Sequence, residues 1–189
     1  MKKHNIIQHL GLGLILLSLI LLIGSKGLDL YHRKQTQQLA RQLEALLPLA
    51  GTGTPDDYSS AELPVLQLDG EDFSGLIRIP SFGVTLPMGH SWSSTGKYPC
   101  RFWGSLYDGT LVVGGKDKTG QLDFCDRMDI GEQILITDMT GVQFRYTVSR
   151  IDRSRHADAD ILLKDEWDLT LFVRDAISLD YILIRCNYS

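Results

Sequence analysis

The chain has 189 residues, 43% hydrophobic and 22% charged, which gives room for one ordinary domain plus a small appendage and excludes wholesale disorder. Nineteen Lys and Arg against 23 Asp and Glu leave a formal charge of −4, which excludes a nucleic-acid binder that works by neutralising phosphates. Three cysteines are too few for a disulfide scaffold, and the odd count leaves at least one thiol free or intermolecular.

Residues 6–24, IIQHLGLGLILLSLILLIG, form a 19-residue run without a formal charge, preceded by Lys2 and Lys3 and followed by Lys26, Arg33 and Lys34. As a helix it would be about 28 Å long, close to the thickness of a hydrocarbon core. The run predicts a single-pass transmembrane anchor over residues 1–27 at the plasma membrane, with the N-terminus cytoplasmic and the rest outside. A cleaved signal peptide is the alternative, but no A-x-A cleavage site follows and the apolar run is long for that role. Over residues 28–50, Leu39, Leu43, Leu46 and Leu47 keep helical spacing among Gln, Arg, Glu and Ala, which predicts a helical stalk. Residues 51–69 are rich in Gly, Thr, Ser and Asp and read as a linker, so the folded domain is expected over 70–189.

Beyond residue 70 the pattern becomes that of strands. Candidates are residues 75–80, 83–88, 110–115, 133–138, 142–151, 169–173 and 181–186, with TLVVGG reading as a strand buried on both faces. Met139-Thr140-Gly141 between two of them is a hairpin signal. Residues 122–128 and 158–164 read as single helical turns. Short strands with so little helix predict a mainly β fold, a small closed barrel or a sandwich.

Chemical motifs are sparse. Lys116 does not sit in a phosphate-binding loop, because Thr110 and Asp117 break the required pattern. There is no CxxC or HExxH, and the run His156-Ala157-Asp158-Ala159-Asp160 lacks the Gly and Glu of a calcium loop. No metal or other cofactor is expected. Cys125 and Cys186 read as core residues, and Cys100, in a Pro-Cys-Arg loop, as the exposed thiol. Past the stalk, the only histidines are His90 and His156, and neither sits in a motif with a Cys.

Three segments, taken in order, resemble the sortase family. LIRIPSFGVTLPM resembles the opening strands of a sortase domain. DGTLVVGGKDKTGQLDFCDRMDIGEQILITDMTGVQFRYTVSRI resembles the stretch holding the catalytic-His loop, and DEWDLTLFVRDAISLDYILIRC the segment holding the Cys and Arg. The likeness spans residues 71–189 and is strongest to the class B-like branch, in which a Trp-Asp-Leu-Thr-Leu run precedes the Cys. The resemblance implies a sortase-like closed β-barrel with one or two short helices, behind a membrane anchor on a Gram-positive cell surface. It also implies a cysteine transpeptidase chemistry. A thiolate forms a thioester with a sorting-signal peptide, a His moves protons, and an Arg supports the developing charge.

In this sequence the residues matching His, Cys and Arg are Lys116, Arg174 and Tyr181. Arg185 lies four residues beyond Tyr181, about 13 Å along a strand, and is not given the Arg role. Arg174 cannot act as a nucleophile. The resemblance therefore implies a catalytically inactive sortase-like protein with a binding or accessory role at the cell wall. Its candidate cleft residues are Lys116, Asp117, Arg174, Asp175 and Tyr181. Arg174 is expected to pair with Asp117 or Asp175. The expected partners are the membrane and a peptide or surface protein. Two alternatives remain: an active transpeptidase whose nucleophile has moved to Cys100, Cys125 or Cys186, and an extracytoplasmic β-module that only resembles a sortase.

Overall fold

The β-branched and aliphatic runs after residue 65 pair into one sheet that closes on itself. The computed structural model of the chain describes residues 31–48, 62–93, 96–163 and 166–189, with Gly13, Leu14, Ser18 and Gly51. The strands are β1 (Leu66–Leu68), β2 (Glu71–Ile79), β3 (Val84–Gly89), β4 (Cys100–Trp103) and β5 (Leu111–Lys116), then β6 (Gln133–Asp138), β7 (Gln143–Ser154), β8 (Leu169–Arg174) and β9 (Tyr181–Tyr188). Their order is β1-β2-β3-β4-β5-β8-β9-β7-β6, and β6 returns to pair with β2. β2 to β9 thereby form a closed barrel, and β1 prolongs one edge of β2. Among the described strand pairs only β3–β4 and β5–β8 run parallel.

Alternate residues fill the interior, among them Ile77, Val113, Ile136, Phe144, Leu171, Val173 and Ile184. The opposite face of β5, β8 and β9 is also covered. Val112, Phe172 and Leu183 pack under Leu162 of α2 (Ala159–Leu162), which explains the nearly continuous apolar runs of β5 and β8. Asp158 caps this short helix by accepting from the backbone N–H of Ile161 at 3.2 Å. The other predicted helical turn is a 3-10 turn at Cys125–Arg127.

Two boundaries differ from the sequence reading. The stretch taken as linker over 51–69 ends in a strand, β1, joined to β2 by Asp69-Gly70. Both turn residues have positive φ, 52° and 79°, as a two-residue hairpin turn of type I′ requires. β4 was also missed, because it is four residues long and its pairing with β5 is interrupted between Arg101 and Trp103. The anchor predicted over residues 6–24 lies outside the described residues except for Gly13, Leu14 and Ser18, which are helical. Among the described residues no helix is long and apolar enough to cross a membrane.

The predicted stalk is helical over residues 31–46, here α1, but it does not stand free. Its stripe of Leu39, Ala40 and Leu43 is buried against Phe73 and Leu76 of β2 and against Met139. Glu44 pairs with Arg78 beside that contact. An apolar stripe gains free energy only by leaving water, and the outer face of β2 supplies the matching surface.

Candidate functional site

Lys116, Arg174 and Tyr181 stand side by side. Lys116 is in register with Arg174 across the parallel β5–β8 pair, and Arg174 with Tyr181 across the antiparallel β8–β9 pair. Adjacent strands lie about 4.8 Å apart, so the three residues form one short row. They share strand parity with Gly114, Phe172 and Leu183, which places the row on the outer face of the barrel.

The expected ion pair of Arg174 is not formed. Among the described residues no carboxylate lies within salt-bridge distance of Arg174, whose Nε donates instead to the Leu179 carbonyl at 3.1 Å. Its guanidinium sits 5.9 Å from the centre of the Tyr181 ring. Both candidate carboxylates are taken up elsewhere. Asp117 accepts from the backbone N–H of Ala176 at 2.9 Å. Asp175 accepts from the N–H groups of Ile177 and Ser178 at 2.7 and 3.1 Å, and meets Arg153 at 3.4 Å. The Ile177 N–H, and after it that of Ser178, hold the Asp175 carboxyl below its ordinary value. Strand parity is the reason: Asp175 follows Arg174 directly and turns into its own loop.

Below the row the face is closed by aromatic rings. Phe172 on β8, Phe102 on β4 and Trp92 pack with centroids 5.4 to 5.6 Å apart. They stand so close to Gly114 that a Cβ there would overlap the Trp92 and Phe172 rings, so only glycine fits. Trp92 remains 40% exposed and forms the open wall beside the row. Sequence reasoning missed Trp92, since nothing local ties it to a strand 20 residues away.

Arg185, left without the family's Arg role, lies under α2 at 2% exposure. It donates to Thr170 Oγ1 at 2.9 Å and to the carbonyls of Ile161 and Leu162, so it fastens α2 to β8 and β9.

The three thiols are all buried, which corrects the expectation that Cys100 is exposed. Cys125 and Cys186 lie in the barrel interior, and burial pushes both thiols well above their ordinary range. Cys100 pairs with Gly114, two residues before Lys116, and donates to the Tyr98 carbonyl at 3.3 Å. Burial pushes it up too, only partly opposed by the Ser93 backbone N–H. His90 is bonded through Nδ1 to Ser74 Oγ at 2.7 Å. Native protein at pH 8 should therefore react with iodoacetamide at least about tenfold more slowly than the unfolded chain at all three cysteines, because only the thiolate is nucleophilic. Mass spectrometry of the alkylated peptides checks this, and a fast-reacting Cys100 would contradict it.

No family model and no curated protein matches the chain. Solved structures do. Sortase C1 from Streptococcus agalactiae aligns over 71% of this chain and 75% of its own, at 18% identity and a TM-score of 0.53. Sortase A from Corynebacterium diphtheriae aligns over 83% and 84%, at 20% identity and a TM-score of 0.54. Clostridium perfringens sortase C, solved with the C-terminal cell wall sorting motif, aligns over 82% and 90%, at 19% identity and a TM-score of 0.53. The closed barrel of this chain is the sortase fold.

Proposed function

We propose that this sortase-fold chain is a membrane-anchored, extracytoplasmic binding protein without transpeptidase activity, whose cleft holds the carboxylate of a peptide or surface protein. The observation that carries the reading is the row Lys116, Arg174, Tyr181 on three neighbouring strands. These are the positions that match the family's His, Cys and Arg. With Arg174 in place of the thiol, no thioester can form at that position, because a guanidinium is never deprotonated in a protein. Lys116 then has no nucleophile to activate. The row instead offers two cations one strand apart, with Arg174 free of carboxylate partners among the described residues. A planar guanidinium held against the Tyr181 ring is suited to a bidentate carboxylate. The aromatic wall of Trp92 supplies apolar contact beside it.

Peptides ending in a free carboxylate should bind more tightly than their amides. Arg174→Ala should weaken the acid form about 10- to 100-fold, the usual worth of a hydrogen-bonded charge, with little effect on the amide. Titration calorimetry measures both, and identical affinities in the parent and Arg174→Ala would remove the reading. Arg174→Cys alone should yield no turnover of sorting-signal peptides, since the base and the charge-stabilising donor would still be absent.

One observation favours a second reading, an active enzyme with a displaced nucleophile. Cys100 shares the outer face with Lys116 through its pairing with Gly114. An acyl-enzyme trapped on Cys100 would establish that reading and end the first.

A further inference from the structure

We propose that the barrel rests on the bilayer surface, with the β8–β9 turn of residues 175–180 and the first turn of α1 seated against anionic lipid. The inference rests on the anchor proposed above and adds the orientation of the domain. If residues 6–24 span the membrane, only residues 25–30 lie between that run and Tyr31, the first described residue of α1. Six residues reach about 20 Å at most. A free stalk would then lift the barrel away, but α1 is fixed along the barrel by Leu39, Ala40 and Leu43. The chain must therefore reach the bilayer from the end of α1 that carries Tyr31.

That point is next to the cleft. The first turns of α1 press on Gly120, where a Cβ would stand 2.9 Å from Thr36 Oγ1 and 3.5 Å from the His32 carbonyl. Three residues earlier, Asp117 receives the backbone N–H of Ala176. The chain exit, the 117–120 loop and the β8–β9 turn are thus one contiguous surface.

Its chemistry suits an anionic interface. Ile177 is 94% exposed and Leu179 56%, both on one six-residue turn, and Tyr31 at the exit is 58% exposed. A single exposed apolar residue means little; two on one turn form a patch. Arg33, Lys34, Lys118 and Arg174 are exposed around it, with Lys116 half-buried. The carboxylates on the same surface are largely occupied. Asp117 and Asp175 turn to the backbone of the β8–β9 turn, and Asp126 pairs with Arg127 at 3.4 Å. Asp123 and Asp180 flank the patch. Cations beside exposed aliphatic side chains bind anionic bilayers through shallow insertion plus charge.

The test uses the full chain in bilayers containing phosphatidylglycerol, with a nitroxide on Ile177→Cys or on Leu46→Cys. Both positions are exposed, and the native thiols are buried, so labelling is selective. Leu46 lies at the far end of α1, about 22 Å from its first described residue at 1.5 Å per residue. The label at 177 should collide several-fold more with oxygen than with an aqueous nickel chelate. The label at 46 should show the reverse. The contrast at 177 should shrink in pure phosphatidylcholine. Equal, water-like behaviour at both positions in a chain retained by the bilayer would overturn the inference and leave the anchor standing. Spin–spin broadening at 177 would put a second copy of the chain on the patch and would also overturn it. Release of the chain by an alkaline wash would instead overturn the anchor, and this inference with it.

Discussion

Asp138→Ala should destabilise the domain by about 3–5 kcal/mol, one of the two largest losses expected from a single substitution here. The Asp138 side chain is fully buried at the end of β6. Its Oδ2 accepts the Tyr107 hydroxyl at 2.6 Å, and its Oδ1 accepts the backbone N–H groups of Thr140 and Val142 and the Thr140 hydroxyl at 2.8 to 2.9 Å. One carboxylate thus satisfies four donors and closes the Met139-Thr140-Gly141 hairpin. Removing it takes this acceptor from two buried donors, the Val142 N–H and the Tyr107 hydroxyl, and a buried donor left unpaired costs about 1–3 kcal/mol. Asp138→Asn retains an oxygen for the two N–H groups and should lose about 1 kcal/mol, because Tyr107 can turn to accept from the new amide. Denaturant titrations of the two variants decide the matter. A loss below about 1 kcal/mol in Asp138→Ala would show that the network is not what holds the hairpin.

Leu43→Ala should cost about 2–5 kcal/mol if α1 unfolds with the barrel. Leu43 is fully buried among Phe73, Leu76 and Met139, although it belongs to a helix that the sequence alone would place in solvent. Truncation leaves a cavity at the centre of this contact, and α1 alone, about four turns, is too short to be stable in water. Amide exchange in α1 should therefore accelerate before exchange in β5 and β8. If exchange in α1 and the unfolding midpoint both stay at parent values, the docking of α1 is not a stabilising contact. The variant also bears on the membrane orientation, since a released helix would again be a stalk.

The sequence by itself determined the features that depend on neighbours along the chain. The doubly buried run marked β5, and the strand-like runs on either side of Met139-Thr140-Gly141 marked β6, β7 and the hairpin between them, because strand and turn chemistry are local. The order of the sortase-like segments brought Lys116, Arg174 and Tyr181 out as the residues to watch, and strand register places them in one row. The tertiary structure decided what depends on residues distant in sequence. An amphipathic stripe says that α1 needs an apolar partner, but only the closed barrel brings Phe73, Leu76 and Met139 to it. The Lys116-Asp117 and Arg174-Asp175 pairs suggested ion pairing. The folded loops instead give the carboxylates to backbone N–H groups and to Arg153, and leave Arg174 to Leu179 and Tyr181. Charge is written in the sequence, but which oxygen satisfies which donor depends on where three separate strand ends meet, and that is set by the closure of the barrel.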